Sequence, residues 1–158
     1  MIRLVKFLAL AGIALGGAFL TTAAQASAAN FQVNFAIHNA DSTNSMIRNT
    51  TPLPSGVAGL INPPAAILPG GNDPATGFAT YVGGLPGLGQ HPSVSLQYVN
   101  TVSISDECTF TIQVSNVGGL NPYKLHFSSD QSRCTVPGDQ QNATGLFTST
   151  TYVLNWNG

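Results

Sequence analysis

Charge is scarce in this sequence, because only 7% of its 158 residues are Asp, Glu, Lys or Arg. Residues 27–158 hold three basic side chains against six acidic ones, which is a formal net charge of −3. Proteins that bind a phosphate backbone do so through several clustered cations. The composition therefore predicts that nucleic acid is not a partner, and it leaves solubility to Ser, Thr, Asn and Gln side chains.

Cysteine is nearly absent as well, and no metal-binding pattern accompanies it. The two cysteines, Cys108 and Cys134, have neither a CxxC nor an HxxxH spacing near them. A structural zinc site needs further ligands at short spacing, and no acidic loop has the oxygen spacing of a calcium site. We therefore predict no metal and no cofactor. An isolated pair in an oxidising compartment most often forms a disulfide, which we predict here.

Long apolar runs are confined to the N-terminus. MIRLVK supplies two cations, FLALAGIALGGAFL an apolar run, and TTAAQASAAN small residues suited to signal peptidase. The apolar run is shorter than the roughly 20 residues that cross a bilayer. The pattern predicts a helical signal peptide over residues 1–26, cleaved before Ser27 or, in a second register, before Ala29. We expect the mature protein to be secreted or periplasmic.

Helical periodicity is missing from the rest of the chain, and alternation with a period of two takes its place. Apolar and polar side chains alternate in FQVNFAIH, SVSLQYV, CTFTIQV, YKLHF and TYVLNW. This alternation is typical of strands with one buried and one solvated face. Weaker strands near 45–49, 78–82 and 145–149 bring the number to about eight. We predict an all-β fold, a single antiparallel β-sandwich domain over residues 27–158.

Catalytic patterns are absent too. No GxSxG elbow or other positioned nucleophile accompanies the three histidines, His38, His91 and His126. Asp106 and Glu107 are adjacent, so on a strand they point to opposite faces and make a poor acid and base pair. We predict that the protein is not an enzyme, with a hydrolase kept only as a residual alternative.

Proline and glycine, by contrast, are concentrated in one segment. Residues 52–92 hold eight of the ten prolines and nine of the seventeen glycines. Such a segment lacks backbone donors and loses much entropy on ordering, which predicts a loop region with at best short edge strands. One interpretation is a set of tight connections. The other is an exposed apolar lip, since loops this long in a compact domain are usually functional or disordered.

Several elements in this order resemble the aegerolysin family. They are HNADSTNSM after an early strand, then a PP pair, Ile67, Pro69 and Gly70, an aromatic at Phe78, the run SVSLQY, and the turn from Gly118 to Tyr123. Aegerolysins are small secreted β-sandwich proteins that bind membrane lipids, and some act with a partner in pore formation. The resemblance implies that this chain contacts lipid.

The predicted function is therefore an exported, non-enzymatic protein that contacts a lipid or other hydrophobic surface. The candidate binding residues are Leu60, Ile61, Leu85 and Leu88 in the loops, with Tyr81 and Trp156 as aromatic contacts. In TYVLNW the alternation leaves open whether the Trp156 set or the Val153 set faces inward. The alternative function is a structural or adhesive subunit of a surface assembly, in which FQVNFAIH is donated as a strand to another exported protein or another copy.

Overall fold

Two β-sheets packed face to face make up the protein in the computed structural model, which describes residues 30–49, 58–70, 75–103 and 105–157. The predicted signal peptide and both cleavage positions lie outside these residues. These described residues contain no helix, and so no helix among them is long and apolar enough to span a membrane. The prediction of an all-β sandwich is confirmed.

The described residues form eleven strands. Their bounds are β1 (Asn30–Asn39), β2 (Met46–Arg48), β3 (Ala58–Ile61), β4 (Ala66–Ile67), β5 (Ala75–Gly84), β6 (Ser93–Asn100), β7 (Glu107–Asn116), β8 (Tyr123–Ser129), β9 (Cys134–Thr135), β10 (Gln140–Asn142) and β11 (Leu146–Trp156). One sheet has the order β3-β5-β1-β11-β9 and is called sheet A below; sheet B has the order β10-β8-β7-β6-β2-β4. The estimate of about eight strands is too low because several of these strands have only two to four residues, too few to show alternation.

One pair of neighbouring strands in sheet A, formed by the first and the last strand of the fold, runs parallel. Strand β1 pairs with β11 in the parallel direction, whereas the other neighbouring strands among the described residues are antiparallel. The predicted antiparallel sandwich therefore contains one parallel strand pair. Alternation has the same period in both kinds of ladder, so it carries no information about strand direction.

The core lies between the sheets and follows the alternation in the sequence. On β1 the side chains of Phe31, Val33, Phe35 and Ile37 have no exposed area. On β7 the same holds for the four side chains Cys108, Phe110, Ile112 and Val114. Burying each large aliphatic or aromatic side chain contributes about 1.5–3 kcal/mol. The apolar period of two thus selects the face of each long strand that turns inward.

The predicted disulfide is confirmed. Cys108 of β7 and Cys134 of β9 are bonded across a Cα–Cα distance of 6.0 Å. Because β7 belongs to sheet B and β9 to sheet A, the bond joins the two layers. Both cysteines are buried, so the bond is shielded from solvent.

The proline- and glycine-rich segment is not a loop throughout. It contains β5, a ten-residue strand paired with β1 on one edge and β3 on the other. The prediction of at best short edge strands is wrong, because the prolines lie outside the Ala75–Gly84 range and leave its backbone donors intact. Its glycine at position 77 has a packing role: a Cβ there would lie 2.5 Å from Cγ of Pro64.

The close approach of Pro64 requires glycine at position 77 of β5. We expect Gly77→Ala to destabilise the fold by about 2 kcal/mol, because the rigid proline ring must move aside. Gly59→Ala on the adjacent β3 is the matched control, since no heavy atom lies within 4 Å of its added Cβ. It should change stability by less than about 0.5 kcal/mol. Urea unfolding of both variants tests this, and equal losses would contradict it.

Removing the disulfide should weaken the sandwich strongly. The bond closes a loop with a sequence separation of 26. On the chain-entropy estimate this contributes about 3.5 kcal/mol, so a Cys108→Ala, Cys134→Ala double variant should lose roughly that amount. The measurement is urea unfolding of the variant beside the oxidised and the reduced wild type. A reduced wild type as stable as the oxidised form would show that the bond contributes nothing.

Candidate functional site

The two aromatic candidates, Tyr81 and Trp156, belong to the core. Neither side chain has exposed area. Tyr81 pairs with the inward Val33 and packs edge-on against Phe31, with ring centroids 4.9 Å apart. Burial raises the pKa of Tyr81 to about 12. The prediction that these rings contact an external surface is wrong, because the alternation of β5 and β11 turns both inward.

The four aliphatic candidates divide into two kinds. Leu60 and Leu85 are half-buried and pack against the core, so their predicted surface role is not supported. Leu85 also packs over Gly145. A Cβ placed at position 145 by substitution would overlap with Cδ2 of this leucine. Ile61 and Leu88 are exposed, as predicted. They do not form one lip, because Ile61 pairs with Thr80 partway along sheet A, whereas Leu88 lies in the loop after β5.

One end of the sandwich gathers exposed aliphatic side chains from three separate connections. This apolar end consists of the loops 85–92, 117–122 and 143–145 together with the first residue of β11. Its exposed aliphatic residues, with their exposed fractions, are Leu88 (77%), Val117 (48%), Leu120 (95%) and Leu146 (51%). The sequence of these three loops contains no Asp, Glu, Lys or Arg. Only Leu88 was foreseen from the sequence, because the other three lie outside the proline-rich segment.

Asn116 holds two of these loops together. Its side chain donates to the Pro86 carbonyl oxygen at 3.0 Å and accepts from the Gly118 amide at 3.1 Å. Its own carbonyl accepts from the Gly89 amide at 3.1 Å. The two glycines at 118 and 119 have φ of 76° and 84°, a conformation that favours glycine. Much of the loop backbone is thus satisfied internally.

The opposite end carries most of the described charge. The acidic end consists of the described residues 40–45, 68–70, 101–103, 105–106 and 130–133. Its charged residues, with Glu107 at the start of β7, are Asp41, Asp106, Glu107, Asp130 and Arg133. Arg133 forms an ion pair with Asp106. Among the described residues, one end therefore has loops without a charged side chain, and at the other end acidic groups outnumber basic ones.

Asp41 organises the first loop of the acidic end. Its carboxylate accepts from the Thr43 amide at 2.8 Å and from the Asn44 amide at 3.0 Å. The Asn44 side-chain amide donates to the second oxygen at 3.0 Å. These bonds, led by the one from Thr43, lower the pKa of Asp41 to about 2.

A separate polar cluster lies on the outer face of sheet B. Asp139 binds the Lys124 ammonium and the His126 ring nitrogen, each at 2.6 Å. Hydrogen bonds from these two groups lower the pKa of Asp139. No described hydroxyl is hydrogen-bonded to His126, so the cluster lacks the nucleophile of a catalytic triad. It is an exposed ion-pair network, and the absence of enzymatic activity stays a prediction.

The outer face of sheet A has a cleft of about 270 Å³. Its lining residues are Asn34, Phe35, Ile61, Asn62, Phe78, Ala79, Thr80 and Thr151. None of these side chains is charged. Among the residues that the structure describes, no group of three or more His, Cys, Asp and Glu side chains is arranged to hold a metal ion.

Comparison with known proteins identifies no relative of this chain. No family model matches the chain, and neither a curated protein nor a solved structure is significantly similar to it. The resemblance to aegerolysins stays a prediction, and the function has to be argued from the surface of the molecule.

The Asp41 turn should make stability depend on acid pH. Because folding lowers this pKa from 3.8 to about 2, its contribution is complete above pH 4 and is lost as the pH falls through about 2. Asp41→Asn keeps an acceptor oxygen but not the charge. At pH 7 we expect the variant to be less stable by about 1 kcal/mol, because solvent partly screens the charge at this half-buried position. Urea unfolding at pH 7, 4 and 2 measures the difference, and an undiminished gap at pH 2 would contradict the assignment.

Proposed function

We propose that this is an exported, non-enzymatic protein that docks its apolar end on the surface of a lipid bilayer. The observation that carries the proposal is the gathering of four exposed aliphatic side chains at an end whose loops hold no charged residue. The buried disulfide is compatible with an oxidising compartment outside the cytoplasm. We propose a secreted or periplasmic location on that basis and on the N-terminal signal pattern.

The apolar end holds four of the nine exposed large hydrophobic side chains of the described residues, whereas the acidic end holds two, Leu68 and Val102. Leu88 and Leu120 are largely exposed, and transfer of one leucine side chain out of water contributes about 1.5–3 kcal/mol. Approaching hydrocarbon normally costs several kcal/mol for each unsatisfied backbone group. The bonds made by Asn116 reduce that cost, because they satisfy loop groups before any membrane contact.

The charge distribution sets an orientation. With the apolar end in the bilayer surface, the acidic end points into water, where its carboxylates keep their hydration. Anionic lipids would repel the acidic groups rather than attract them. The proposed binding therefore depends on apolar contact, is insensitive to salt and is no stronger on anionic than on zwitterionic vesicles.

The alternative of strand donation is not favoured. Strand β1, which contains FQVNFAIH, pairs with β5 along its whole length and with β11 over most of it. Both edges are occupied within the same chain, so β1 has no free edge or free backbone to offer to another subunit.

Vesicle binding should depend on the apolar end. The Leu88→Ser, Leu120→Ser double variant should bind phosphatidylcholine vesicles at least about tenfold more weakly, because two exposed leucines no longer leave water. Its stability should stay within about 0.5 kcal/mol of wild type, since neither side chain packs in the core. Co-sedimentation measures binding, and urea unfolding measures stability.

The matched control is Leu68→Ser, which removes a leucine that is 69% exposed and lies at the acidic end. It should leave vesicle binding unchanged. Leu85→Ser should instead lower stability, because that side chain packs against the core. Wild-type protein that fails to sediment with phosphatidylcholine, phosphatidylserine-containing or sterol-containing vesicles would overturn the proposal.

A further inference from the structure

The cleft on the outer face of sheet A is lined by an aromatic side chain that does not belong to the core. Phe78 belongs to β5, a strand paired on both edges, and yet its side chain is 65% exposed. It stands beside Ala36, its partner on β1, which is only 1% exposed although it faces outward. With so little exposed area, Ala36 does not line the cleft; the apolar residues that line it are Phe35, Ile61, Phe78 and Ala79. An exposed aromatic face at such a place can stack on a flat apolar surface of a ligand.

Two polar side chains next to Phe78 are held in a defined arrangement. Asn34 Oδ1 accepts from Gln32 Nε2 at 3.3 Å and from Thr80 Oγ1 at 3.2 Å. With Oδ1 engaged twice, the Asn34 amide group has two N–H donors for which no described residue is an acceptor. The Thr80 oxygen, having donated its hydrogen, still has lone pairs that accept. Donors and an acceptor therefore lie side by side in the cleft lining.

An irregularity in sheet A supplies a further wall. Val33 pairs with Phe147 and Phe35 with Tyr152, so β11 advances five residues while β1 advances two. The additional residues bulge out of the ladder, and Thr151 at the end of this bulge lines the cleft. Bulges of this kind commonly redirect side chains next to binding sites. On the other side lies Asn62, which has a φ of 54°, an uncommon value outside glycine.

The chemistry of the lining selects a class of ligand. No charged side chain lines the cleft, so neither a phosphate nor a carboxylate would find a counter-ion there. Adjacent hydroxyl groups on a pyranose ring both donate and accept, as the Asn34 amide and Thr80 hydroxyl require. The C–H face of the same ring is apolar and flat enough to lie on Phe78. We propose that this cleft binds a neutral saccharide, with one pyranose ring stacked on Phe78.

The cleft is independent of the apolar end. Thr80 lies four residues before the end of β5, on the side of the sandwich rather than on its tip. A saccharide could therefore occupy the cleft while the apolar end is docked. The two proposals rest on different residues, and each can fail without the other.

Titration of the labelled protein by NMR tests the proposal. The probes are methyl β-glucoside, methyl α-mannoside, methyl β-galactoside and N-acetylglucosamine, each up to about 50 mM, because single sugar rings bind weakly. We expect at least one of them to cause saturable amide shifts at Asn34, Thr80 and Thr151. Phe78→Ala should weaken that binding at least about tenfold, and Phe78→Tyr should retain it, because the stacking face is kept.

Val82→Ala is the matched control, because Val82 occupies the next outward position on β5 and does not line the cleft. It should leave the titration unchanged, and Thr80→Val should weaken binding without unfolding the protein. No saturable shift with any of the four sugars, or shifts that persist in Phe78→Ala, would overturn the proposal. Phe78→Ala should still sediment with vesicles, so a loss of sugar binding is distinguishable from a loss of membrane docking.

Discussion

The double pairing of β1 is the interaction on which the rest of the structure depends. This strand has β5 on one edge and β11 on the other, and its inward side chains from Phe31 to Ile37 are completely buried. Its two ends are the two ends of the sandwich, so its position orders the loops around it. At the acidic end the buried Asn39 donates to the carbonyl oxygens of Asn44 at 2.8 Å and Leu68 at 3.0 Å. Asn116 performs the equivalent task at the apolar end.

These asparagines explain how a chain with so little charge keeps its loops ordered. An amide that makes several hydrogen bonds, as the buried Asn39 and the half-buried Asn116 do, holds loops together without the desolvation cost of a buried ion. Glycines with positive φ at 118, 119 and 145 then permit the tight turns beside Asn116 and Leu85. The result is an end where several loop backbone groups are hydrogen-bonded to one another or to Asn116, while Leu88, Val117, Leu120 and Leu146 are exposed to solvent. That separation is what makes membrane docking without charged residues physically reasonable.

The surface thus divides into regions with different chemistry. The apolar end suits contact with hydrocarbon, the acidic end suits water, and the uncharged cleft beside Phe78 suits a neutral, hydroxyl-rich ligand. Lys124 and Asp139 neutralise each other on the outer face of sheet B, so they leave no strong field near the cleft on sheet A. A lipid surface and a saccharide are compatible partners for such a molecule, because the two sites lie on different sides of the same rigid sandwich.

The sequence by itself determined which face of most long strands is buried, because alternation is a local property with a period of two residues. It also determined the single disulfide, since only two cysteines exist. Only the tertiary structure decided the parallel pairing of β1 with β11 and the interior place of β5, because strand direction and neighbours depend on contacts between distant residues. The exposed residues of the proposed sites also depend on contacts between distant parts of the chain. Tyr81 and Trp156 belong to the core, whereas Val117, Leu120 and Leu146 lie at the same end as Leu88 only because distant connections end at one edge of the fold.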